Sequence, residues 1–111
     1  MTAVKLIYQG KILTGIESRG HSGYSLSGSD IVCAAVSTLM QALALGLEDI
    51  AHVQGLQVIA DSRVPLIRVT WPESEHESIS LLTNTAAESL KHIARENPRH
   101  VKIITEEILD S

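Results

Sequence analysis

Residues 20–40 read GHSGYSLSGSDIVCAAVSTLM. Through Ser29 the stretch holds three glycines, four serines and one histidine, so it has too little apolar material for a core and reads as a loop. From Ile31 the character reverses. Ser29 or Asp30 has the side chain of a helix N-cap, and Ala, Leu, Met and Gln carry a helix over 31–45, with Gly46 as a plausible stop. That helix is apolar nearly all round, which predicts burial on more than one side.

Upstream, residues 4–9 and 12–19 are rich in β-formers and flank the turn-like Gln9-Gly10-Lys11, which predicts a hairpin. Downstream, residues 53–60 and 66–71 read as two strands around the turn-like Asp61-Ser62-Arg63. Trp71-Pro72 ends the second of them, because proline cannot continue a central ladder. Ile79, Leu82, Ala86, Leu90 and Ile93 recur at spacings of three and four. They mark a second helix from Ser74 or Glu75 to Glu96, apolar on one side and stopped by Asn97-Pro98. Residues 101–106 form a last strand. The order is ββαββαβ over 1–111, without linker or repeat. The economical packing is an α+β domain, a single sheet with two helices laid on it.

At 111 residues and 44% hydrophobic, the chain can bury a core without disulfides or metals. There is no Phe, so Ile, Leu, Val and Ala must fill that core. The net charge is −4 with the basic residues scattered, which argues against direct nucleic-acid binding. The single cysteine excludes an internal disulfide and any Cys/His metal spacing, and it points to a reducing, cytoplasmic setting. No signal peptide is evident at the start, and the apolar runs read as too short for a membrane span. Neither a metal nor another cofactor is expected. His52, His76, His92 and His100 fall on different elements and read as solvated or structural. Glu73, Glu75 and Glu77 around His76 read as a charged helix start.

The chemistry concentrates at Cys33. With the cap at Ser29 or Asp30, the thiol lies in the first helical turn, where free N–H groups and the positive end of the dipole favour an anion. A thiolate there is a better nucleophile. His21 stands at the mouth of the glycine-rich loop, able to serve as ion-pair partner or base if the loop folds back. The bland reading stands beside this one: a lone cysteine in Ile31-Val32-Cys33-Ala34-Ala35-Val36 is more often inert core, and a loop histidine is more often only solvated. Asp30 can cap the helix or orient His21. Ser37, one turn after Cys33, can bond back to the Cys33 carbonyl, touch a peptide or steady the thiol.

His21-Ser22-Gly23-Tyr24, followed by Gly28-Ser29-Asp30-Ile31-Val32-Cys33-Ala34-Ala35-Val36-Ser37, resembles the signature of the ribosomal-processing cysteine proteases called Prp. Ser22 departs from the alanine frequent there. The resemblance implies Cys33 as nucleophile and His21 as base, with Asp30 and Ser37 at supporting positions. It makes Gly20, Ser22, Gly23, Tyr24 and Gly28 a substrate-binding loop, flexed at the glycines. It further implies a cytoplasmic homodimer with no membrane partner. Its substrate would be a large-subunit ribosomal protein precursor, the twenty-seventh in the usual count, which loses an N-terminal extension. Two other functions fit the residues: a non-enzymatic ribosome-assembly binding protein with a structural Cys33, and a thiol-based redox sensor.

Overall fold

The computed structural model describes residues 1–20 and 27–108, with 27–30 described by backbone only. Five strands form one mixed sheet: β1 (Thr2–Gln9), β2 (Ile12–Arg19), β3 (Gln57–Asp61), β4 (Leu66–Thr70) and β5 (Val101–Ile108). Their spatial order is β3-β4-β2-β1-β5, antiparallel throughout except for the parallel pair of β1 and β5. Two helices, α1 (Ser27–Leu45) and α2 (His76–Glu96), complete the expected ββαββαβ order.

The hairpin of β1 and β2 forms where alternation places it. Gly10 takes φ +64°, a conformation that glycine enters without steric cost, and a bulge between Ile7 and Tyr8 shifts the register. Val4, Leu6, Leu13, Ile16 and Val69 point to the face that both helices cover. Trp71 seals its edge, 4% exposed, with its indole N–H donating to the Leu13 carbonyl at 2.9 Å. On the opposite face Glu17 is buried and accepts from Arg68 at 3.0 Å, with Lys5 and Arg19 slightly farther off.

The first helix is one-sided. Val32, Val36, Met40, Leu43 and Leu47 make a stripe into the core, while Ile31 (69%), Leu45 (55%) and Ile50 (73%) stay exposed. Residues 31–50 are long and apolar enough to cross a membrane, so the apolar run is longer than the sequence reading allowed, and this stripe is what it supplies to the core. Met40 is fully buried. Met40→Ala is expected to cost about 2–5 kcal/mol in a denaturant titration, through lost apolar contact and the cavity left behind.

Several boundaries differ from expectation, and those at the two ends of α1 matter most. Gly46 does not stop the helix, which continues as a π-helical turn over Gly46–Ile50. A Cβ at Gly46 would lie 2.6 Å from Leu82 Cδ2, so this glycine lets α2 pack close. The actual stop is at His52, whose φ of 51° turns the chain while the Val53 N–H bonds back to the Leu47 carbonyl at 3.0 Å. Val53 and Leu56 then pack against the core as irregular chain, so β3 begins only at Gln57. On α2 the stripe runs through Ile79, Thr83, Ala86, Ala87 and Leu90, entered by a 3-10 turn over Glu73–Glu75.

Candidate active site

The second boundary is the start of α1. The helix begins at Ser27, not at Ile31, so Gly28, Ser29 and Asp30 lie inside it and none of them precedes it as a cap. Gly28 therefore belongs to the helix and not to a flexing loop. Cys33 moves to the second turn, where the field of the helix end has largely decayed and its own N–H is within the helical ladder. The helix end therefore contributes little to activating the thiol.

What surrounds the sulfur is a groove of about 530 Å³ at the end of the sheet. Cys33, Ala34 and Ser37 of α1 form one wall, and Thr2 and Ser18 lie at the strand ends. Pro65, Leu66 and Ile67 give the groove an apolar side, and Asp61 and Ser62 close its far end. Cys33 is a free thiol, half-buried, with Sγ 3.0 Å from Thr2 Oγ1. Ser37 lines the groove as well. A bond from its hydroxyl to the Cys33 carbonyl is not among the side-chain hydrogen bonds of the described residues. At the far end the Arg63 guanidinium and backbone N–H hold the Asp61 carboxyl below its ordinary range, so it is charged at neutral pH and discharges only well into acid.

Gly20 ties the groove to the glycine-rich segment. It lines the cavity, its N–H donates to the Pro65 carbonyl at 3.1 Å, and the next residue in the chain is His21. His21, Ser22, Gly23 and Tyr24 lie outside the described residues. The side chain of Asp30 does too. Gly20 has φ +143°, and a Cβ there would stand 2.6 Å from the Met1 carbonyl oxygen and 2.8 Å from the Thr2 Cα. Those are backbone atoms that cannot swing aside. Gly20→Ala is expected to cost about 1–3 kcal/mol of stability and to push Thr2 away from the sulfur, measured by thermal melting and by the rate of Cys33 alkylation.

Sequence reading missed Thr2 as a groove residue, and it found the turn at Asp61-Ser62-Arg63 without bringing it to the groove. Thr2 had a signal: it continues the alternation of Val4 and Leu6, which places it on the helix-covered face. The place of the turn at the groove had none, because its arrival beside α1 depends on strand order.

Among solved structures, SMU.848 from Streptococcus mutans superposes with a TM-score of 0.81 at 28% identity, covering 97% of this chain and 96% of that one. The essential ribosomal processing protease Prp from S. aureus, in complex with a substrate peptide, superposes with a TM-score of 0.81 at 18% identity, over 96% of this chain and all of that one. The same protein with a covalently linked product peptide gives a TM-score of 0.80, at the same identity and coverage. A search of curated proteins finds no match. The profile of the family described as cysteine protease Prp matches residues 1–102, which takes in the thiol, the glycine-rich segment and every residue that lines the groove, and on that match this chain belongs to the Prp cysteine protease family.

Proposed function

We propose that the chain is a cysteine endopeptidase that removes the N-terminal extension of a large-subunit ribosomal protein precursor, the twenty-seventh, with Cys33 as nucleophile and His21 as base. The observation that carries this reading is the half-buried Cys33 thiol in the wall of an open groove whose rim, at Gly20, leads directly into His21. Family membership supports the reaction type. The peptide complexes of the S. aureus relative, a ribosomal processing protease, support a peptide substrate.

In this mechanism the Cys33 thiolate attacks the scissile carbonyl carbon. The carbonyl electrons move to oxygen, and the tetrahedral adduct collapses as the C–N bond breaks and His21 gives its proton to the leaving amine. Water, losing a proton to His21, then attacks the thioester and releases the carboxylate and the thiol. Pro65, Leu66 and Ile67 offer apolar contact to a hydrophobic extension. A cytoplasmic homodimer belongs to the same proposal. The exposed Ile31, Leu45 and Ile50 around α1 are apolar surface that a second copy would cover.

Mass spectrometry of the precursor incubated with the protein tests the reading. A shortened precursor and the matching released peptide are expected, and a precursor left intact by folded, thiol-competent protein would reject it.

A further inference from the structure

We propose that the Thr2 hydroxyl is the hydrogen-bond donor that stabilises the Cys33 thiolate, in place of the helix terminus that lies a turn too far away. The inference deepens the protease reading and rests on it for the nucleophile. Thr2 Oγ1 is 3.0 Å from Cys33 Sγ. While the sulfur carries its proton, either atom can donate. Once it is ionised, only the hydroxyl has a proton to give, and a bond to a charged acceptor is the stronger kind.

The donor is also held in place. Thr2 opens β1, its N–H donates to the His100 carbonyl at 2.8 Å, and its Cα sits beside Val101 in the parallel pair. The residue is 5% exposed and β-branched, so its side chain has few alternatives and little competing water. Gly20 packs on its backbone from the other side. A hydroxyl fixed this way requires no reorganisation when the sulfur ionises. It also keeps the sulfur facing the groove that both residues line. A hydrogen bond to a thiolate favours the anion and takes up part of its intrinsic nucleophilicity.

That trade sets the test. Thr2→Val keeps the shape and removes the hydroxyl, and Thr2→Ser keeps the hydroxyl. Iodoacetamide alkylation of Cys33 is followed from pH 5 to 10, beside precursor cleavage. Thr2→Val is expected to react about tenfold more slowly near neutrality, with the midpoint of its profile moved to higher pH, yet no more slowly on the alkaline plateau. Thr2→Ser should follow the wild-type profile. Thr2→Ala, read in the same way, serves if the valine variant fails to fold. A Thr2→Val profile that superimposes on wild type overturns the proposal. So does an equal loss in the valine and serine variants that persists on the plateau, since that marks displaced packing. If the profile shifts as expected while no form of the protein cleaves the precursor, the protease reading fails and the role of Thr2 stands.

Discussion

Cys33→Ala is expected to leave the ribosomal precursor intact, with cleavage reduced by roughly 10⁴-fold or more, as for removal of a nucleophile that acts as a unit with its base. The loss should be confined to chemistry. Cys33 is half-buried at the groove wall and sits outside the fully buried stripe of Val36, Met40 and Leu43, so alanine removes a sulfur without opening a core cavity. Melting within a few degrees of wild type, together with retained binding of the precursor, would place the defect in bond cleavage. Cleavage at the wild-type rate would return Cys33 to a structural role and favour a binding protein.

His21→Ala carries the second large effect. Loss of a general base and acid lowers rates by about 10²–10⁴-fold. In the proposed mechanism both the departure of the amine and the attack of water depend on it. The variant should melt as wild type does, since residue 21 follows Gly20 at the rim of the groove and the packed core lies on the strands and helices. Cleavage by well-folded His21→Ala at an undiminished rate would remove this residue from the mechanism. Comparison with Thr2→Val separates two contributions. Loss of the hydroxyl should be partly recovered at alkaline pH, where the thiol ionises unaided, whereas loss of the imidazole leaves the departing amine without its proton donor at any pH.

The elements were legible where local chemistry decides them. The second strand lies over Ile12–Arg19, as read from the sequence, because glycines with positive φ flank it at Gly10 and Gly20 and its residues are β-formers. The stripe of α2 was legible from spacing alone, although Thr83 and Ala87 join it as buried residues and Leu82 and Ile93 are only partly buried. Gly46 misled because glycine serves two needs, a left-handed turn and a close approach, and only the neighbouring Leu82 distinguishes them. The start of α1 misled because a Ser/Gly run has weak helix propensity, and the helix takes in Ser27–Asp30 despite it.

At the site, the Cys33 motif was legible as a pattern, and the structure places its thiol in the wall of a groove. The helix-end field expected to activate it has largely decayed at the second turn, where Cys33 sits. Its neighbour Thr2 is fixed by Gly20, His100 and Val101, all distant in sequence, and the alternation that puts it on the helix-covered face does not name its partner.

The pairing of the first strand with the last carries a kinetic consequence. Thr2 is aligned with Val101, so the residues through Val101 must emerge from the ribosome before the sheet beside the sulfur can close. Contacts this distant in sequence are slow to form, because the loop entropy is met before any reward is collected. The nascent polypeptide therefore reaches Val101 before the strand that carries Thr2 gains its last partner.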